Sequence, residues 1–376
     1  MLRVEKIATR KEFELLEPEW DALLTRSAAN AITLTYDWLS TWWEVFGGDR
    51  ELNILTVRDG QELVGIAPLL KRTVQHFGVL AFRRLEFVAS GEDEADEICS
   101  EYLDFILERG RETEVLGIMI QYLTDQDSDW DEIVLTDVLE GSPSLPILKG
   151  LCETNSLGWS ILRNQVCISL PLPDTWDGFL KGISSSYRHR IIKDGRAAAA
   201  GNAEFIVIDK LVDFPAGFDA LVRLHQSRWL EKGLPGVFAS EKFTRFHRLL
   251  APKLLPKGRL RLFLLKMDGE ELAALYDFVY DKKVLYYQSG LKPAGTAVHS
   301  PGILIRSYAM DLAIKEGLTE CDFMKGDPAG YKSGWRGELK GILQVRLARA
   351  QSKEAIYNTT SKVVAGLRSL KRAVVS

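Results

Sequence analysis

Two stretches of this chain, 209 residues apart, read as the same hairpin. Leu55-Thr56-Val57-Arg58-Asp59-Gly60-Gln61-Glu62-Leu63 aligns without gaps on Leu264-Leu265-Lys266-Met267-Asp268-Gly269-Glu270-Glu271-Leu272. In each, a β-rich run meets Asp-Gly, whose tolerance of positive φ suits a tight turn, and a second β-rich run follows. A unit that recurs at a fixed offset points to a repeated fold rather than one continuous domain. The 376 residues are long enough for two domains of ordinary size and a short extension. The reading is a duplicated α/β module.

The surrounding pattern fits that duplication. Residues 13–24 read as helical. In the Trp-rich stretch 35–43, Trp38 and Trp42 are four apart and share a helical face. Strands are expected at 82–89, 102–107, 159–163 and 166–170, and a helix at 145–154. The acidic run Glu92-Asp93-Glu94-Ala95-Asp96-Glu97 reads as a solvated loop. Pro171, Pro173 and Gly178 punctuate a junction, and a basic helix over 184–200 follows. After the second hairpin, a strand at 284–291 precedes Ser300-Pro301-Gly302, where Ser300 suits an N-cap and Pro301 the first helical turn. That helix runs to about 316, and 320–324 reads as a short buried strand. The expected division is 1–172, 173–352, and a basic helix over 353–376 with Val363, Leu367, Leu370 and Val374 on one stripe.

Charge divides along the same line. Residues 1–150 hold 14 Lys+Arg and 30 Asp+Glu, leaving 34 and 22 of the 48 and 52 for the remainder. The net of −16 against +12 has two readings: the second half meets an anion, or the halves attract one another. Cys99, Cys152, Cys167 and Cys321 show neither CxxC nor zinc spacing, so they read as reduced thiols and no metal site is expected. No apolar run approaches the roughly 20 residues of a membrane span. The charged opening (Arg3, Glu5, Lys6) lacks a leader's apolar stretch, so a cytoplasmic location is expected.

Leu285-Tyr286-Tyr287-Gln288-Ser289-Gly290, then Ser300-Pro301-Gly302, then Asp322-Phe323-Met324-Lys325-Gly326-Asp327 and Tyr331-Lys332-Ser333-Gly334-Trp335 carry a resemblance. In this order they resemble the CelD/BcsL family of GNAT-superfamily acetyltransferases, relatives of the FemAB-type transferases. The Trp38–Trp42 stretch and the 184–196 helix match as well, so the likeness spans roughly residues 5–350. It implies an α/β fold with a mixed sheet, made of two tandem GNAT-like (acyl-CoA N-acyltransferase) modules. It also implies acetyl-CoA or another acyl-CoA as co-substrate. The acceptor would be a small molecule or a glycan or peptide precursor of the cell envelope or an exopolysaccharide, met in a cleft between modules. Two rivals stand beside it: aminoacyl transfer from charged tRNA, and a catalytically silent scaffold of a polysaccharide-assembly complex. The C-terminal basic stripe allows peripheral contact with a membrane.

Acyl transfer to an amine needs a base, because an amine of pKa ~10.4 is protonated at neutral pH, and a donor for the developing oxyanion. Asp277, set between Tyr276 and Phe278 on a buried strand, is the first candidate base, and His299 the second. A strand carboxylate paired with a cation and a surface histidine are the bland readings of the two. The resemblance assigns Lys332, in the Tyr331-Lys332 pair, to the oxyanion or a phosphate; Tyr331 is the candidate for shaping the acyl channel, Tyr287 for the leaving thiolate and Asp322 for organising the site, with packed core tyrosines and the end of a buried strand as the alternatives. It places the donor along Gln288, Ser289, Ser300, Gly302 and Ile303, where a helix N-terminus offers N–H groups to a pyrophosphate. Arg188 and Arg190 would meet a phosphate, and Trp38 and Trp42 a sugar ring; a solvated helix face and a packed core are the alternatives.

Overall fold

The computed structural model describes residues 1–292, 298–349, 353–357 and 359–360. The first half opens with β1 (Leu2–Ile7), α1 (Arg10–Glu14), α2 (Glu17–Arg26) and α3 (Tyr36–Phe46). Then come β2 (Glu51–Leu52), β3 (Ile54–Asp59), β4 (Glu62–Ala67), β5 (Leu69–His76), β6 (Leu80–Phe87) and β7 (Ile106–Leu107). It ends with α4 (Glu112–Asp125), β8 (Glu132–Leu139), α5 (Ser144–Thr154) and β9 (Leu157–Pro171). The second half runs through α6 (Trp176–Gly182), α7 (Ser185–Ala200), β10 (Glu204–Ile208), α8 (Phe214–Glu231) and α9 (Glu241–Leu254). It continues with β11 (Leu260–Met267), β12 (Glu270–Tyr280), β13 (Lys283–Leu291), α10 (Pro301–Lys315), β14 (Glu320–Lys325) and β15 (Glu338–Arg349).

Eleven strands form one mixed sheet, β10-β11-β12-β13-β14-β9-β15-β8-β6-β5-β2, and β1-β3-β4-β7 form a second. The fold is α/β with two GNAT-like modules. β15 lies between β9 and β8, so the far end of the chain is built into the sheet of the first half.

The repeat is real, displaced by one residue from its sequence spacing. β3 and β4 pair Val57 with Gly65 and then Arg58 with Leu63; β11 and β12 pair Leu265 with Ala273 and then Lys266 with Glu271. The two bulges match at an offset of 208, not 209. The turns explain the difference: Asp268 (φ 52°) and Gly269 (φ 78°) both take positive φ, whereas the first hairpin turns on Gly60 (φ 60°) and Gln61. A second departure sits at Pro68. β12 is continuous, but Pro68 has no N–H to give a ladder, and there the first module breaks into β4 and β5, which join different sheets.

Each module contains a parallel pair that lasts three residues. β6 meets β8 at Arg84↔Glu132, Leu85↔Ile133 and Glu86↔Val134, and β13 meets β14 at Lys283↔Glu320, Val284↔Cys321 and Leu285↔Asp322. Past those rungs the strands separate, with α4 and α10 as the crossovers. Gly290 shows what steers β13 aside. A Cβ there would lie 2.7 Å from Leu221 O, 2.8 Å from His225 N and 2.6 Å from Leu224 Cβ, so only glycine lets β13 press onto α8. Gly290→Ala is expected to cost about 1–3 kcal/mol, because α8 backbone must move. An unchanged urea midpoint would show that β13 is not held this way.

The charge asymmetry is used between the two halves. Asp21–Arg259 (3.0 Å), Asp96–Lys242 (3.2 Å), Asp37–Lys257 and Glu97–Lys325 (3.1 Å) join the halves. Among the described residues, every ion pair between residues 1–150 and 151–376 takes its acid from the first half. Local expectations fared unevenly. The strand expected at 102–107 shrinks to β7, and the two expected at 159–170 are one long β9. No described helix is long and apolar enough to cross a membrane. The stripe Val363–Val374 lies outside the described residues.

Candidate active site

β13 and β14 part under visible constraint. β13 carries a bulge, since Tyr276 pairs with Gln288 but Asp277 with Tyr286, leaving Tyr287 as the extra residue. β14 turns at Met324, whose φ is +58°, and its pairing with β9 jumps from Asp322↔Ser169 to Lys325↔Cys167. The freed end of β14 is held by Lys332. Its ammonium donates to Phe323 O at 2.6 Å and Lys325 O at 3.0 Å, with Met324 O farther off at 3.4 Å.

Facing this parting is the segment 89–105. The acidic run is exposed at Asp93, Glu94, Ala95 and Glu97, as expected of a surface loop, yet it also makes bonds within the first half and across to the second. Glu92 accepts from Trp42 Nε1, Asp96 from Ser240 Oγ (2.6 Å), and Glu97 from Lys325 (3.1 Å). Trp38 Nε1 donates to Ser100 Oγ at 3.0 Å, and the Tyr287 hydroxyl donates to Ile98 O. Ala89 (72°), Cys99 (54°), Tyr102 (66°), Asp137 (56°) and Met324 (58°) are non-glycine residues with positive φ, and all five fall around this junction. Such backbone strain persists where surrounding structure fixes it, and it gathers at functional sites.

At the centre is a buried polar cluster. Tyr102 donates its hydroxyl to Asp322 Oδ2 at 2.6 Å, and Met324 N–H donates to Asp322 Oδ1 at 2.7 Å. Lys325 spans Glu97 and Asp137, each at 3.1 Å. Glu101 is 1% exposed, and its Oε2 has no hydrogen-bond partner among the described residues. Burial pushes its carboxyl up to about 8 against the pull of Lys325. Burial also raises Asp322 and Asp137. Lys325 stays charged: burial opposes it, but Asp137, Glu101 and Glu97 outweigh burial. His247, pushed down to about 3 by burial, lies 3.2 Å from the Tyr287 hydroxyl as a neutral ring.

The residues singled out from sequence divide into those that meet here and those that do not. Asp322, Tyr287 and Lys332 belong to the cluster. The Tyr287 hydroxyl is committed to Ile98 O, and burial raises its pKa well above the usual phenol range. Asp277 is on the other face of β12. Tyr276 and Phe278 join the core that contains Ile98, while Asp277 lies under α10, opposite Arg261 and near Arg306. His299 is a surface residue with its side chain 68% exposed. Gln288 and Ser289 are half-buried on β13, and Ser289 Oγ is 2.7 Å from the Tyr286 hydroxyl. Trp38 and Trp42 are fully buried and offer no ring face to a sugar; their N–H groups reach Ser100 and Glu92, and the Trp38 ring packs edge-on to Tyr287. Arg190 is exposed and Arg188 half-buried on α7. The Tyr331 side chain lies outside the described residues.

The amides at the tip of α10 are largely taken within the described residues. Asp194 of α7 is buried and accepts from His299 N (3.2 Å) and Ser300 N (2.9 Å). Pro301 has no N–H, and Ile303 and Leu304 donate to Ser300 O. Gly302 alone keeps a first-turn amide without a partner among the described residues. A buried carboxylate therefore stands beside the tip of α10, and residues 293–297 just before that tip lie outside the described residues. Contrary to expectation, the Ser300 side chain makes no cap bond; Asp194 does that job.

Glu101, Tyr102, Asp137, Lys325 and Asp194 were not singled out from sequence. Lys325 lies in the quoted 322–327 run without a role given to it, and the others carry no local mark, because their partners come from segments more than 100 residues away.

Residues 185–333 match the acetyltransferase (GNAT) domain family. The crystal structure of FemX is 15% identical with a TM-score of 0.62, covering 94% of this chain and 99% of FemX. The C-terminal domain of a putative lysylphosphatidylglycerol synthetase from Agrobacterium fabrum is 11% identical, TM-score 0.50, covering 92% and 95%. L-PGS from Bacillus licheniformis gives 11% and 0.50, covering 92% and 96%. No curated protein sequence matches this chain.

Proposed function

We propose that this GNAT-type acyltransferase moves an aminoacyl or other acyl group from an activated ester to an amine, with the acyl carbonyl lying where β13 and β14 part. The observation that carries the reading is the ladder that stops after Leu285↔Asp322, beside a buried ammonium and a buried carboxylate. The amine nitrogen attacks the carbonyl carbon, a C–N bond forms and the carbonyl oxygen gains charge. Lys332 has three protons, and the one aimed at Met324 O is held at a distance too long for a strong bond, so it serves that oxygen. Glu101 takes the amine's proton and returns it to the leaving oxygen as the ester C–O bond breaks.

An ester carried on tRNA suits the described surface better than a coenzyme A thioester. Asp194 already holds the helix-tip amides, and Arg188, Arg190, Lys193 and Arg196 of α7 have no acidic partner among the described residues. Such an unneutralised ridge suits a phosphate backbone. Calorimetry with charged tRNA, acetyl-CoA and free coenzyme A tests this. Charged tRNA is expected to bind and coenzyme A is not, while Asp194→Ala, by freeing two amides, should gain coenzyme A binding. Tight acetyl-CoA binding by the unaltered protein would return the donor to a thioester. Binding of none would leave a scaffold.

A further inference from the structure

The first module has its own parted strands, and they enclose a cavity. Past Glu86↔Val134, β6 runs into Ala89, Ser90 and Gly91 while β8 runs on through Thr136 and Asp137. Between them opens a polar cavity of about 410 Å³. It occupies the place in the first module that the β13–β14 parting occupies in the second. Even the opening rungs correspond: Arg84 and Glu132 form an ion pair at 2.8 Å, and Lys283 and Glu320 one at 3.9 Å.

The charges that line it are unequally paired. Glu86 is matched by Arg72 at 2.6 Å, Arg84 by Glu132, and Glu97 with Asp137 share Lys325. Among the described residues, Glu92 and Glu94 have no cation within ion-pair distance, and Arg163 has no acid within that distance, although its charge reaches Asp137 in the same lining. After pairing, Glu92 and Glu94 remain as carboxyl groups without a cation of their own, and because burial pushes Glu92 up to about 7, it carries its full charge only above that pH. Glu92 is also fixed in position, because Trp42 Nε1 donates to it from the buried face of α3.

The cavity leads to the cluster already described. Cys99 and Ser100 line it, so its inner end is one residue from Glu101, and Asp137 in its wall pairs with Lys325 at the end of β14. We propose that this crevice is the acceptor pocket and that it takes a primary amine in its ammonium form, held by Glu92 and delivered toward Glu101. The proposal rests on the acyltransferase reading for its role but not for its binding. Two crevices of one repeat would then hold the two substrates, joined through the Asp137–Lys325 pair.

Calorimetry on the full chain tests it with cadaverine and glucosamine as probes, against 1,5-pentanediol and glucose as neutral counterparts. At least one amine is expected to bind tenfold or more tightly than its neutral counterpart, since a carboxylate in a partly buried site is worth about that much to an ammonium. Glu92→Gln, which keeps an acceptor for Trp42, is expected to weaken that binding by about tenfold, and Thr136→Trp, which fills the cavity, to abolish it. Lys332→Met, in the other crevice, should leave amine binding in place. Equal binding of amine and neutral probe overturns the proposal, as does amine binding that survives both first-module substitutions in folded protein. Amine binding without transfer from any donor sinks the acyltransferase reading and spares the pocket. Transfer that ignores Glu92→Gln and Thr136→Trp does the reverse.

Discussion

Lys332→Met is expected to lower turnover by about 10²–10³-fold and, separately, to cost about 3 kcal/mol of stability. The first figure is what loss of one preorganised donor to an oxyanion costs. The second follows from what the ammonium holds. Phe323 O and Lys325 O accept from it at 2.6 and 3.0 Å at a buried strand end, and methionine leaves both carbonyls without a donor. The two effects separate by experiment. Unfolding by urea reads the stability loss, and single-turnover rates measured well below the variant's transition read the chemistry. Lys332→Arg keeps the charge, but a planar fork cannot reach three carbonyls of one turn, so it should recover part of the stability and little of the rate. A folded variant that turns over at the normal rate would leave Lys332 as a fastener of β14 and nothing more.

That dual role was only half legible in the sequence. Hairpins, the α10 start and the strand at 320–325 could be read because each is a local pattern: period-2 apolar residues, Asp-Gly, Ser-Pro-Gly. The offset of the repeat was misread by one residue because Asp-Gly matches Asp-Gly by letter, while the ladder is set by bulges that leave no local mark. Pro68 was visible, yet that it would send β4 and β5 into different sheets depends on the partners waiting for each. The site was hidden for the same reason. Asp277 stood out as a carboxylate among apolar neighbours, but alternation along β12 decides its face, and the face toward segment 89–105 belongs to Tyr276 and Phe278. Glu101 follows an acidic run and carries no local mark of burial. The tryptophan N–H groups of α3, the Lys325 ammonium, and the Tyr102–Asp322 and Tyr287–Ile98 bonds hold that segment in place.

Glu101 and Asp277 make the last contrast measurable, because burial pushes both carboxyls up to about 8. For each, the folded state keeps a proton that the unfolded chain gives up near its ordinary value of 4.5 or 3.8. The unfolded state therefore binds fewer protons between that value and about 8, and stability must fall as pH rises through that window. The slope is at most about 1.4 kcal/mol per pH unit for each group. Glu101→Gln and Asp277→Asn should each remove one share of that slope in urea titrations run from pH 5 to 8.5. Their rates should diverge. A base must be ionised, so transfer by the unaltered protein is expected to climb with pH and level off above about 8, opposite in sense to stability. Glu101→Gln should lose about 10²–10⁴-fold and the climb with it. Asp277→Asn should keep the climb, because its carboxyl lies on the α10 face of the sheet, beside Arg306 and Arg261 and the Tyr287 backbone, opposite the face that Glu101 and segment 89–105 cover. If the climb instead vanishes with Asp277→Asn and survives Glu101→Gln, the proton leaves on the α10 side of the sheet, and the segment 89–105 only closes the cleft.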